Sequence, residues 1–306
     1  NKDYLKEIFD KGIIQEVDQG LFIYREPIST LINFLDYSIV KFFSNPFKAK
    51  EEIYPNAIKM ESLIKANHIN SFPEHLLFNC HLLEDIETIN KFVKSSNKAT
   101  FLSKEQNLSR INLVQNPSTC YHCYASRENE YFNKNMVITA INKCNRYEAS
   151  NHSKKGRMQE FSLREVIFLG SPSFIKNTRL KTVKLLNQFV TNWQINGELI
   201  SSNDPFFTNE YKTKANFQLH FDMKYEYKAK LPYENKSLAI MSSNIHGTTF
   251  SKNFNLKSKK NVIHTGCLGF GLERLALVII AQHGYKSNKW PKKMLRDFNE
   301  WKKNNN

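Results

Sequence analysis

The chain is poor in cysteine, glycine and acidic residues, and it has no long apolar run. Five cysteines in 306 residues (Cys80, Cys120, Cys123, Cys144 and Cys267) make an odd, sparse set that cannot staple a chain of this length. That excludes a disulfide scaffold and favours a reducing cytosol, where grouped cysteines read as metal or catalytic sites. The longest apolar run, Leu275 to Ala281, is far shorter than the ~18 residues of a membrane span. With 41% apolar and 13% aromatic residues, the chain is too hydrophobic for general disorder. At this length a folded chain buries roughly three quarters of its unfolded surface. Acidic residues number 29 against 44 Lys and Arg, a net charge of +15, which points to an acidic partner: a nucleic acid, a nucleotide or an acidic protein.

There is no internal repeat. Gly12, Gly20, Pro27 and Pro46 exclude a long uninterrupted coiled coil near the start. Apolar spacing predicts helices over residues 29–43, 76–93 and 180–193, and an apolar helix in 269–280 that opens with two glycines. Buried strands are expected at 136–141 and 166–169, an alternating half-exposed strand at 217–228, and another at 238–244. This succession implies an α+β fold with a mainly antiparallel sheet flanked by helices.

Two segments carry the chemistry. The first is His264-Thr-Gly-Cys-Leu-Gly-Phe-Gly-Leu-Glu-Arg-Leu-Ala-Leu, read as a glycine-rich turn leading into a helix, with Arg274 on the first helical turn. Such a turn lets backbone approach a ring or phosphate, and Arg274 can pair with phosphate or stack on a base. It matches neither the P-loop nor the dinucleotide fingerprint. The second is Cys144-Asn-Arg146-Tyr-Glu148, a polar loop through Gly156 and Arg157, then Phe161 and Glu165. A strand, a basic loop and a return strand would bring Arg146, Arg157 and Arg164 near one site.

Together these segments resemble motifs 2 and 3 of class II aminoacyl-tRNA synthetases, with Pro55 as a motif 1 proline. The resemblance implies that Arg146 holds the α-phosphate of ATP, Glu148 reads the adenine amino group, Phe161 and Arg274 sandwich the adenine, and Arg157 reaches the outer phosphates. A narrower resemblance rests on the segments SFPEHL, NPSTCYHCY, CNRYEAS, RMQEFSLRE, SNDPFF, SSNIH and HTGCLGFGLERLAL. They are similar to amino acid:[carrier protein] ligases, the carrier-charging relatives of zinc-dependent, methanogen-type seryl-tRNA synthetases. That family binds Zn²⁺ through two Cys and one Glu, which match Cys120, Glu165 and Cys267 here, with Cys123 a second candidate beside Cys120. Three protein ligands leave a fourth position for the substrate's free amino group. Asn244 would lie against the amino acid, and Glu226 is a candidate Mg²⁺ ligand.

The expectation is therefore a cytoplasmic homodimer with a single catalytic domain over 1–306. Residues 1–54 would form a helical extension without a tRNA-binding arm, and 302–306 a frayed tail. It would form an aminoacyl-adenylate from ATP and a small amino acid, glycine or alanine. The acyl group would pass to the phosphopantetheine of an acidic carrier protein, with tRNA an improbable partner. Seryl-type tRNA aminoacylation and a non-catalytic regulatory paralogue are the alternatives. Cys80 and Cys144 are expected to be packing residues.

Overall fold

The computed structural model describes residues 3–147, 156–202, 223–233, 236–259 and 262–305. Its centre is a seven-stranded sheet. In chain order the elements that build it are α1 (Ile28–Ile39), β1 (Lys50–Glu51), α2 (Cys120–Ala125), β2 (Met136–Asn145), β3 (Glu160–Gly170), α3 (Pro172–Asn192), β4 (Gly197–Ser201), β5 (Lys224–Leu231), β6 (Lys236–Gly247), β7 (His264–Gly271), α4 (Leu272–His283) and α5 (Lys292–Asn305). The strand order is β4-β5-β6-β7-β3-β2-β1. All neighbours are antiparallel except β1, which runs parallel to β2 through Lys50↔Ile138. The expected α+β class with a mainly antiparallel sheet flanked by helices is the fold observed.

Side chains two apart on a strand share a face, so the register sorts the sheet into two sides. The back carries Arg164, Val166 and Phe168 of β3 and Leu268 and Phe270 of β7; α1, α3 and α4 cover it. Helix α4 is buried almost all round, as its run Leu275 to Ala281 requires. Phe34 of α1 anchors this side. It stacks on Trp193 at 5.3 Å and on Trp290 at 6.4 Å, and meets Phe298 edge-on at 5.2 Å. The buried Arg164 guanidinium pairs with both carboxylate oxygens of Asp36 at 2.7 Å and with Glu51 at 2.8 Å, so β3 is tied to α1 and β1. Arg164 therefore points away from the face that carries Glu165, correcting the expectation that it joins Arg146 and Arg157.

Other differences have local causes. The stretch expected as one helix over 76–93 is helical only over Ile86–Lys94. Upstream, Phe78 pairs with Val114 and Leu83 donates to the Asn107 carbonyl, while Asp85 caps the helix by accepting from the Thr88 N–H at 2.7 Å. The glycine-rich segment is not a turn but strand β7, and the helix begins only at Leu272. A Cβ on Gly266 would come 2.8 Å from the Asn244 carbonyl oxygen, so glycine there permits the close approach of β6. The strand expected at 217–228 is observed from Lys224 onward; residues 217–222 lie outside the described part. The first 54 residues hold a helix at Tyr4–Asp10, a hairpin of Ile14–Asp18 with Leu21–Tyr24, and α1. Cys80 is exposed instead of packed, whereas Cys144 is buried. Among the described residues, no helix is long and apolar enough to cross a membrane.

Phe34→Ala removes the ring that α1, α3 and α5 share. Urea unfolding should show a loss of about 3–5 kcal/mol; a loss below about 1 kcal/mol would contradict this packing account.

Candidate metal and nucleotide site

The front of the sheet carries Phe161, Leu163 and Glu165 of β3, Cys267 and Gly269 of β7, Ser242 and Asn244 of β6, and Glu226 of β5. Across it, the segment Asn116 to Thr119 delivers α2. Thr119 fixes this delivery by donating its hydroxyl to the Leu163 carbonyl at 3.0 Å. Cys120, the first residue of α2, is thereby set over the sheet, and its N–H donates to Glu165 Oε2 at 2.6 Å.

Cys120 Sγ, a Glu165 carboxylate oxygen and Cys267 Sγ lie within 4.8 Å of one another, and all three residues are buried. Glu165 also accepts from Ser118 Oγ at 3.4 Å, and Asn244 Nδ2 donates to Cys267 Sγ at 3.6 Å. Gly269 sits in register with Glu165 and with Ser242, and a methyl there would touch both side chains at 3.5 Å. The bare Cα leaves a small cradle beside the carboxylate.

The electrostatics are those of a site built for a cation. The hydrogen bond with Cys267, then burial, then the Glu165 charge hold the Cys120 thiol well above its usual range. The hydrogen bond with Cys120 pulls the Cys267 thiol down, but burial and the Glu165 charge outweigh it. Burial raises the Glu165 carboxyl against the pull of its hydrogen bonds and of Arg146. Three potential anions crowded in a dry space resist ionisation, and a divalent ion would reverse that. Two sulfurs and one oxygen suit Zn²⁺ with an open fourth position. The residues present fit the metal.

The other cysteines are used differently. Cys123 lies deeper along α2, accepts from Arg127 at 3.5 Å, and is pushed up to about 12 by burial. Cys144 faces the Thr119 hydroxyl at 3.6 Å and is raised to about 12 by the same cause.

Beside the cysteines, Arg146 donates Nε to the Pro117 carbonyl at 2.9 Å, and its guanidinium lies 5.3 Å from the Phe161 ring centre. Arg274 donates to the Gly156 carbonyl at 2.9 Å and to the Ala239 carbonyl at 3.1 Å. Arg157 is exposed next to Gly156. Glu148 lies outside the described residues. Glu226 is held by Lys224 at 3.0 Å and by the Ser202 hydroxyl at 3.0 Å, contacts that satisfy a strand carboxylate within the protein. Sequence reasoning passed over Glu273, which accepts from the Ser162 N–H and hydroxyl at 2.7 Å and from Lys143 at 3.1 Å, and so seats the first turn of α4 on β3. Its place beside Arg274 in Gly-Leu-Glu-Arg was the available signal.

No protein-family model matches the chain. Its sequence is similar to that of the type-2 serine–tRNA ligase of Methanococcus aeolicus, 26% identical over 303 residues, covering 95% of this chain and 58% of that protein. The counterpart from Methanocaldococcus jannaschii is 28% identical over 284 residues, covering 89% and 54%. In structure the chain superposes on M. kandleri SerRS, solved in complex with A. aeolicus tRNASec, at a TM-score of 0.86 and 21% identity, covering 98% of this chain and 60% of that one. Giardia lamblia prolyl-tRNA synthetase, solved with prolyl-adenylate, superposes at 0.66 and 13% identity, covering 96% of this chain and 56% of that one. The fold is that of a class II aminoacyl-tRNA synthetase.

These findings overturn the expected partner. The relatives are serine–tRNA ligases and a solved neighbour holds a tRNA, so the exclusion of tRNA is corrected, and a phosphopantetheinylated carrier protein finds no support among them. That expectation leaned on the small size of residues 1–54. The chain spans just over half the length of the curated relatives it matches, so those residues say nothing about a tRNA-binding arm.

A site of this composition predicts one zinc per chain by elemental analysis. Cys120→Ala and Cys267→Ala should lose it, and Cys123→Ala should keep it; retention in the first two, or loss in the third, would contradict the donor set. Because both thiols are raised, uptake should release protons and tighten as pH rises through neutrality.

Proposed function

We propose that the chain activates an amino acid with ATP and that a tRNA is the acceptor, with serine the favoured amino acid. The convergence of Cys120, Glu165 and Cys267 within 4.8 Å supports this reading, because it offers a metal position for the amine with Arg146 close enough to pull on the Glu165 carboxyl. The names of the relatives favour serine over the glycine or alanine expected from sequence. Ser118, Ser242 and Asn244 add hydroxyl and amide groups near the cysteines, which suit a small polar side chain.

Zn²⁺ held by Cys120, Glu165 and Cys267 would supply a Lewis-acid position suited to a free amino group, against acids lacking one. The chain's own residues do the rest. Asn244 orients the amino acid on the front of the sheet. Arg146, fixed by the Pro117 carbonyl, faces the α-phosphate, and Arg157 reaches the outer ones. Phe161 offers a ring face to the adenine, with Arg274 on its other side, and Glu148 reads the adenine amino group. As the amino acid's carboxylate oxygen bonds to the α-phosphorus, the bond to pyrophosphate breaks. Preorganised arginines then stabilise the developing charge, alongside the Mg²⁺ that accompanies ATP. A tRNA hydroxyl next attacks the activated carbonyl and AMP leaves, so no protein nucleophile is needed. The +15 charge suits a polyanionic acceptor, and free cysteines suit a cytoplasmic setting.

Serine-dependent ATP–pyrophosphate exchange tests the activation step without any acceptor. Exchange should be present, and Arg274→Ala should lower it by about 10²–10³-fold with zinc retained. Absence of exchange with every amino acid, or an unchanged rate in the variant, would refute the proposal.

A further inference from the structure

Strand β6 contains an irregularity beside the cysteines. Its register against β7 runs Asn244↔Cys267 and Ile245↔Gly266, then resumes at Gly247↔Thr265, leaving His246 as the extra residue of a bulge. Gly247 has φ +57°, the left-handed region that favours glycine. Bulges next to sites re-aim a side chain, and this one aims the His246 ring at both sulfur-bearing elements. Its Nε2 lies 3.7 Å from Cys267 Sγ. Its Nδ1 lies 3.3 Å from Thr265 Oγ1 and 3.4 Å from the Tyr124 hydroxyl. Thr265 precedes Cys267 on the same side of β7, and Tyr124 lies one helical turn after Cys120 on α2. Phe250 seals the group, stacked on Tyr124 at 4.6 Å and edge-on to His246 at 4.7 Å.

We infer that His246 is a positioning residue for the metal site, donating its Nε2–H to the Cys267 sulfur. The inference rests on the zinc reading above. A metal-bound thiolate carries no proton and only accepts, so the ring nitrogen facing it must be the protonated one. Nδ1 is then the acceptor, and the Tyr124 and Thr265 hydroxyls are both placed to donate to it. Together with the Asn244 amide, this gives Cys267 two N–H donors, which withdraw charge from the sulfur and fix its direction. The ring also links the element bearing Cys120 to the strand bearing Cys267. His246 is not among the groups whose donor atoms lie within 4.8 Å of one another, so its place is behind the ligand.

Cobalt(II) is the probe, read by its sulfur-to-metal charge-transfer band, with zinc affinity measured by competition against a chromophoric chelator. His246→Phe keeps the ring and removes the donor; it should weaken metal binding by about 10–100-fold and shift the band. His246→Gln restores an N–H and should sit closer to the parent protein. If the ring only fills space the order reverses, with Phe near the parent and Gln worse, and that result overturns the inference. So does an unchanged band and affinity in both variants. Should the Phe variant fail to fold, His246→Ala is read in its place with the same expected loss. If the parent protein itself takes up no cobalt, the zinc reading has failed and this inference falls with it.

Discussion

Cys120, Glu165 and Cys267 put three groups that could each carry a negative charge into one buried space. The raised thiols and carboxyl are the electrostatic signature of that arrangement. A divalent cation would relieve it. Much of the surrounding architecture then has a purpose. The sheet register sets Cys267 next to the row of Glu165, and Thr119 and the Cys120 N–H clamp α2 onto β3. Gly269 keeps the space beside the carboxylate clear, and the bulge at His246 brings a donor behind one sulfur.

The back of the sheet makes such crowding affordable. Arg164, one residue from Glu165 and on the opposite face, engages Asp36 and Glu51, so the strand that bears the buried acid is fixed to α1 and β1. Aromatic packing around Phe34 and the buried helix α4 supplies the rigidity. One strand thus divides its labour by alternation: odd positions face the site, and even positions hold the scaffold.

How much of this was legible beforehand varied with the physics involved. The class of fold and the long buried strands follow from apolar runs, and they are observed. The glycine-rich segment was read as a turn because glycine is a turn residue by default. In β7 it serves close strand approach instead, which only the neighbouring backbone reveals. The helix expected over 76–93 had the right spacing, but pairing of Phe78 with Val114 depends on partners distant in sequence. Arg164 was placed with Arg146 and Arg157 from proximity in sequence, and strand parity puts it on the other face. The Cys/Glu/Cys set came from resemblance, since no spacing rule would join residues so far apart along the chain. The exclusion of tRNA failed because the size of residues 1–54 was weighed as if it bore on a tRNA-binding arm; similarity to proteins nearly twice as long removes that argument.

The most direct test of the central claim is zinc-edge X-ray absorption on the purified protein, with and without serine. The account predicts two sulfurs at about 2.3 Å and low-Z ligands at about 2.0 Å, the latter set changing when the amino acid is added. Three or four sulfurs would bring Cys123 or Cys144 into the site, and a spectrum with no sulfur would remove zinc from it; either contradicts the account.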